Sequence, residues 1–329
     1  MPSTYFPFAA TALAALLLAG SGTGARAGTD GAHPDLTIAQ RTRAAEETAR
    51  DDPACVAVRP FYWSVGDASG VQAQGRVGLR APHADTHMPI ASASKLVYNA
   101  YVVQKHGGRL SAEDVRYLTF TSGYTDFDRC RKDQTVAECD AWRHNDGHEP
   151  ANDGKFYYNG GHMQMHAVVD GEGPDDSAEL ARRVNAMLGT DFTYGSPQLA
   201  GGINATPAVY GHFLQRIVAG ELLMHDALGT HRVCTNPTTC ATAVYTPMSG
   251  NESPHYSIGH WVEDDPKVGD GAFSSAGAFG FYPWIDRRVK WWGVLARMDL
   301  DVGSEPGPGV ESLQCGRRIR AAWITGEAP

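Results

Sequence analysis

The hydrophobic positions divide this chain into strand-like ends and a helical middle. Leu36 to Arg50 has helical composition. Val56 to Val65 and Val71 to Val77 read as two strands, joined by the hairpin signal Gly66-Asp67-Ala68-Ser69-Gly70. Then the period changes. Leu96, Val97, Tyr98, Ala100, Tyr101, Val102 and Val103 make a segment that is apolar almost all round, which predicts a helix inside the protein, ended by Gly107-Gly108. Ser111-Ala112-Glu113-Asp114 is a capping-box start. Ser177 to Leu188 is amphipathic, with Leu180, Val184, Met187 and Leu188 on one face and Gly189 at its end. Thr206-Pro207 joins an N-cap to a proline at the first helical position, and Val209, Phe213, Leu214, Ile217 and Val218 form the buried face behind it. In the last third, Tyr256 to Val262, Ala272 to Phe281 and Val289 to Met298 return to strand character, and Val310 to Ile324 reads as a closing helix. This order predicts antiparallel pairing of early with late strands, with a helical insertion between them.

Polar stretches and cysteines refine that picture. From Asp126 to Lys155 the chain is rich in Asp, Asn, Gly and His, and reads as a long surface loop. Cys130 and Cys139 bracket part of it, and Cys234 and Cys240 bracket a shorter polar stretch, so both pairs can close locally. Cys55 and Cys315 remain, near the two ends, and their pairing would make the terminal segments neighbours. This is the most economical of the possible pairings. An even count of six cysteines with no C-x-x-C suits an oxidising compartment and disfavours a thiolate metal site.

Residues 6 to 19 form an apolar run too short to span a bilayer, followed by the small-x-small sequence Ala25-Arg26-Ala27. Residues 1–27 therefore read as a secretory signal peptide with cleavage near Ala27, giving a secreted or periplasmic protein without a stable membrane anchor. The roughly 300 residues that follow suffice for one large core or two closely packed domains. A net charge of −9 and the lack of a basic run argue against a nucleic-acid partner.

Candidate chemistry centres on Ser92-Ala93-Ser94-Lys95, at the head of the buried helix. Residues three apart share a helix face, and a hydroxyl in the first turn lies beside unpaired backbone N–H groups. A partly desolvated lysine there can lose its proton near neutral pH and take one from the serine. His162 and His166 are four apart and would also share a helix face. No third ligand or H-E-x-x-H motif accompanies them, so they read as partly buried histidines, and neither a metal nor a cofactor is expected.

Ser92-Ala93-Ser94-Lys95, Leu118-Thr119-Phe120-Thr121-Ser122-Gly123 and Tyr157-Tyr158-Asn159 together resemble the S-x-x-K, L-T-x-T-S-G and Y-x-N elements of the serine β-lactamase-related family. That family includes class C β-lactamases, D-alanyl-D-alanine carboxypeptidases and esterases. Leu199-Ala200-Gly201-Gly202 and Tyr256-Ser257-Ile258-Gly259-His260-Trp261 also resemble family segments, and the likeness spans about residues 56 to 300. It implies an α/β (α+β) fold of the β-lactamase/transpeptidase type, an antiparallel sheet flanked by terminal helices plus a mostly helical domain. The sheet domain would comprise residues 28–91 and 240–329, and the helical domain residues 92–239. The resemblance makes Ser92 the acylated nucleophile. Lys95 would activate it directly or hold Tyr157 as a phenolate, Tyr157 would pass a proton to the leaving group, and Asn159 would bond Lys95 and a substrate amide.

The third family element departs from its pattern. Where relatives carry K-T-G, K-S-G or H-x-G, this chain has Ser275-Ala276-Gly277. The glycine is kept, and the Ala278 and Ser92 N–H groups would form the oxyanion hole. Position 275 lacks the cation and position 276 the hydroxyl that help relatives bind a substrate carboxylate. The expected function is therefore an exported serine hydrolase acting on a small-molecule or peptide ester or amide. The alternatives are a D-Ala-D-Ala carboxypeptidase or β-lactamase, and a binding protein that keeps the fold without the chemistry. Trp261, Tyr282, Trp284, Trp291 and Trp292 are candidates to line an acyl pocket, with core packing as their default role.

Overall fold

In the computed structural model, residues 36–248, 250–304 and 306–329 are described, and the expected signal peptide lies outside them. The early and late strands meet in one antiparallel sheet. After the N-terminal helix α1 (Ile38–Asp51), β1 (Phe61–Asp67) and β2 (Gly70–Val77) form the expected hairpin. The last third supplies β3 (Trp261–Glu263), β4 (Ala272–Ser274), β5 (Tyr282–Ile285) and β6 (Trp292–Ala296). The eight-stranded order is β2-β1-β6-β5-β4-β3, then His255–Tyr256 and Val233–Cys234. β6 lies beside β1, with Tyr62 opposite Ala296 and Val65 opposite Gly293.

The helical middle contains α2 (Ser94–Lys105), in which every residue from Ser94 to Val103 is buried, and α3 (Pro207–Val218), capped by the Thr206 hydroxyl. Gly108 ends α2 at φ +77°, donating its N–H to the Val103 carbonyl 2.8 Å away. α3 packs on β6, and the Trp292 indole fills the gap between them. A methyl on Gly211 of α3 would come within 2.9 Å of that ring, and one on Gly66 of β1 within 2.3 Å. The closing helix α4 (Pro308–Thr325) lies against α1, where Arg41 donates to the terminal carbonyls of Trp323 and Ile324 at 2.7 and 3.0 Å. Disulfides join Cys55 to Cys315, Cys130 to Cys139 and Cys234 to Cys240, the economical pairing.

Several boundaries differ from the sequence expectation for local reasons. Val56 lies in a short helix, Pro53–Ala57, because the Asp52 carboxylate caps the Ala54 N–H at 2.8 Å and Pro53 occupies the first turn. That start signal overrides the strand preference of the valines, and the strand begins only at Phe61. The expected strand Tyr256–Val262 is broken by a tight turn with Gly259 at φ +68°, where Asn99 leaves no room for a side chain. The polar stretch after Asp126 is more ordered than a plain loop. It carries a short helix, Val136–Asp140, and a strand, His148–Asp153, paired with Ser122–Tyr124.

Behind the sheet, Glu263, Arg320, Arg317, Tyr282 and Asp270 form a buried polar cluster against α4. The Glu263 carboxylate accepts from Arg317 at 2.7 Å, Arg320 at 2.8 Å and the Tyr282 hydroxyl at 2.6 Å. Burial alone would raise the Glu263 pKa, but the two guanidinium groups overcome it and hold the carboxyl at about 2. Glu263→Gln leaves two buried cations without their shared anion. It is expected to lower unfolding stability by about 3–5 kcal/mol, read from the denaturant midpoint.

Candidate active site

Ser92 sits in a single 3₁₀ turn, Ala91–Ala93, that enters α2. The turn is fastened on two sides. From the helical side, the Ile203 carbonyl accepts the Ile90 N–H at 3.1 Å and the Ser94 hydroxyl accepts the Ile203 N–H at 3.2 Å. From the sheet side, the Ser275 hydroxyl donates to the Ser92 carbonyl at 3.0 Å. Gly277 lies so close that a methyl there would stand 2.2 Å from the Ile90 carbonyl oxygen. Ala91 takes φ +45°, a conformation rarely adopted by residues other than glycine, so the backbone is strained directly before the serine.

Lys95 is buried one helical turn on. Its ammonium donates to the Ser92 hydroxyl at 2.8 Å and to the Ala200 carbonyl at 2.9 Å. It also lies 4.8 Å from the Tyr158 ring centre. The surrounding surface is aromatic: Tyr158 stacks on Trp261 at 5.4 Å, Trp261 meets Tyr256 at 5.0 Å, and Tyr256 stacks on Phe120 at 5.0 Å. Burial lowers the Lys95 pKa to about 7. Desolvation raises the Tyr158 phenol to about 12, although hydrogen bonds with Ser92 and Trp261 pull it partly back. At neutral pH the amine can thus hold the vacancy for a proton while the phenol keeps its own.

The Leu118–Gly123 segment aligns these groups through its backbone. The Phe120 carbonyl accepts the Tyr157 N–H at 3.0 Å and the Leu118 carbonyl accepts the Gly259 N–H at 3.1 Å. One segment therefore positions both the strand leading to Tyr158 and the turn leading to Trp261.

Ser92 and Lys95 come together as the sequence suggests; Tyr157 and Asn159 do not join them. Successive residues in an extended chain point to opposite sides. Phe156 is fully buried, Tyr158 is in phase with it, and Tyr157 instead packs its ring on Tyr245 at 5.4 Å. Counting by two from Phe156 is the sequence signal that singles out Tyr158. Asn159 bonds the loop in front of it: Oδ1 accepts from Gly161 N–H at 2.8 Å and Phe127 N–H at 3.2 Å, and Nδ2 donates to the Phe127 carbonyl at 3.3 Å. Gly277 and Ala278 lie in the turn after β4, where Gly277 donates to the Phe281 carbonyl at 2.7 Å. Among the described residues, no acceptor engages the N–H of Ser92 or of Ala278. Of the candidate pocket aromatics, only Trp261 stands beside Tyr158; Tyr282 bonds Glu263, and Trp292 packs under α3.

Both nitrogens of His162 and His166 are engaged within the fold. His162 pairs with the Ser122 hydroxyl at 2.8 Å and the Tyr157 carbonyl at 3.0 Å, and burial lowers its pKa to about 3. His166 pairs with the Tyr98 hydroxyl at 2.6 Å and Asp114 at 3.2 Å. His162 thereby ties Ser122 to the Tyr157 backbone, and His166 ties Tyr98 to Asp114.

No protein-family model and no curated protein sequence matches this chain. Its fold, however, is that of many solved structures. A D-amino acid amidase from Ochrobactrum anthropi, complexed with D-phenylalanine, superposes with a TM-score of 0.61 at 14% identity, covering 86% of this chain and 98% of the amidase. A penicillin-binding protein homologue from Pyrococcus abyssi gives 0.61 at 13% identity, over 89% and 78% of the two chains. A β-lactamase from Mycobacterium bovis gives 0.53 at 16% identity, over 81% and 96%. The chain has the β-lactamase/penicillin-binding fold, as its motifs implied.

An amine can accept a proton only when neutral, so with Lys95 as base the reactivity at Ser92 is expected to rise with pH through about 7 and level off above it. Labelling of Ser92 by a fluorophosphonate is expected to be about tenfold slower at pH 6 than at pH 8, followed by intact-protein mass. A flat profile over that range would mean the amine is not the titrating base.

Proposed function

We propose that this protein is an exported serine hydrolase that cleaves a neutral ester or amide through an acyl-enzyme on Ser92. The observation that carries the reading is the 2.8 Å contact between the Ser92 hydroxyl and an amine whose pKa burial has lowered to about 7. Neutral Lys95 takes the hydroxyl proton as the serine oxygen attacks the substrate carbonyl. The free N–H groups of Ser92 and Ala278 receive the oxyanion. Tyr158, rather than Tyr157, gives its phenolic proton to the leaving group and is recharged from the Lys95 ammonium. Water then releases the acyl group. Tyr158 suits this role because its hydrogen bond to Ser92 and its contact with Lys95 connect it to both proton carriers.

The sheet edge supports a neutral substrate. Ser275 supplies no cation, and its hydroxyl is already committed to the Ser92 carbonyl. The disulfides suit an oxidising compartment, and no described helix is long and apolar enough to cross a membrane. The similar amidase and β-lactamase folds support amide and lactam cleavage as chemistry this scaffold can host.

Two measurements test the reading. Hydrolysis of a p-nitrophenyl ester is expected to disappear in Ser92→Ala, with little turnover of a chromogenic cephalosporin by the wild type. Efficient cephalosporin turnover would move the assignment to a β-lactamase. Loss of both activities in the wild type, with no fluorophosphonate labelling, would favour a binding protein. In the second, Tyr158→Phe is expected to reduce kcat by at least about 100-fold and Tyr157→Phe by less than about threefold. The reverse ranking would return the proton shuttle to Tyr157.

A further inference from the structure

Two loops outside the Ser92–Lys95–Tyr158 centre carry aromatic rings to the residues that flank Tyr158, and each loop is tied by a disulfide and hydrogen bonds. The first carries Phe127, three residues before Cys130 of the Cys130–Cys139 disulfide. Two asparagine side chains hold the backbone of Phe127 to Arg129. Asn159 binds both the N–H and the carbonyl of Phe127, while Asn145 accepts the Asp128 N–H at 2.9 Å and donates to the Arg129 carbonyl at 3.1 Å. Asn145 is itself fully buried, and its amide also donates to the Cys139 carbonyl at 2.8 Å, tying the asparagine to the disulfide. The Phe127 ring consequently lies over Gly160, where a methyl would meet it at 3.0 Å and the Ala200 side chain at 3.4 Å. Ala200 is the residue whose carbonyl holds Lys95.

The second loop follows the Cys234–Cys240 disulfide and carries Tyr245. Ala243–Tyr245 pairs in parallel with Phe156–Tyr157, and the Tyr245 carbonyl accepts the Tyr158 N–H at 3.1 Å. The Tyr245 side chain is 48% exposed, a large aromatic surface left open beside a reactive centre. Tyr245 stands abreast of Tyr157 on the paired strands and interacts electrostatically with the Tyr158 phenol, while the Phe127 ring covers Gly160, two residues beyond Tyr158. Neither ring is needed for proton transfer, and neither is buried in the core.

We propose that Phe127 and Tyr245 form a preorganised aromatic clamp that selects substrates with an uncharged aromatic acyl group, with Asn159 and Asn145 as the residues that position Phe127. This rests on the reading of Ser92 as an acylated nucleophile. The chemistry is complementary: two rigid rings offer apolar faces and stacking at little entropic cost, and no cation stands at position 275 to favour an anionic group. The clamp also accounts for an asparagine next to the catalytic tyrosine that bonds a loop instead of Lys95.

The test compares two phosphonate probes that differ only in the group on phosphorus, p-nitrophenyl benzylphosphonate and p-nitrophenyl methylphosphonate esters. Each displaces nitrophenolate as the Ser92 oxygen bonds to phosphorus, and each rate is divided by the probe's own rate of hydrolysis in buffer. The benzyl probe is expected to label Ser92 at least tenfold faster on this scale. The advantage should shrink at least fivefold in Phe127→Ala and in Asn159→Ala, shrink in Tyr245→Ala, and persist in Phe127→Tyr. Equal normalised rates in the wild type, or an advantage that survives both Phe127→Ala and Tyr245→Ala, would overturn the clamp while leaving Ser92 as nucleophile. Labelling of Ser92 by neither probe would overturn the hydrolase reading and the clamp with it. Because the readout is a ratio of two probes on the same folded protein, a general loss of stability does not imitate the expected result.

Discussion

The contact between the Ser92 turn and the edge of the sheet is the constraint on which the rest of this site depends. Ile90 to Ser94 is held between Ile203 on one side and Ser275 to Gly277 on the other. Only glycine permits the approach at position 277, because any β-carbon there would overlap the Ile90 carbonyl. That approach joins Ile90 to Gly277, segments 187 residues apart, a pairing that no local propensity encodes.

Desolvation sets the protonation of Lys95. Lys95 has no carboxylate partner among its hydrogen bonds; it meets a hydroxyl, a carbonyl and the face of an aromatic ring. The ring contact and the bond to the Ala200 carbonyl favour the charged form, but burial is the larger effect and lowers the pKa to about 7. The contrast with Glu263 is instructive. That carboxyl is equally buried, yet two guanidinium groups keep it ionised and make it a structural tie between sheet and closing helix. Burial with paired charges thus keeps one group ionised, and burial without them brings the other close to neutrality.

The motifs around the serine were legible because each has a local physical signature. An apolar helix with Ser and Lys one turn apart, a capping box, an N-cap followed by proline and bracketing cysteines all describe interactions within a few residues. Tyr157 and Asn159 show where such reading ends. The short pattern Tyr-Tyr-Asn offers two phenols, and which one faces Lys95 depends on strand phase, set by Phe156 entering the core. Asn159 offers an amide to any partner in reach, and the partner is a loop that a disulfide and a second asparagine, Asn145, hold in place.

What the sequence determined by itself was the alternation of strands and helices, the pairing of terminal segments, the serine and lysine one helical turn apart, and the lack of a cation at position 275. These follow from periodicity, composition and spacing, which act over short stretches of chain. Tertiary structure alone decided which tyrosine reaches the serine, how far the lysine is desolvated, and which aromatics border the site. Strand phase, burial and loop placement arise from contacts between segments far apart in sequence, so no single stretch carries their outcome.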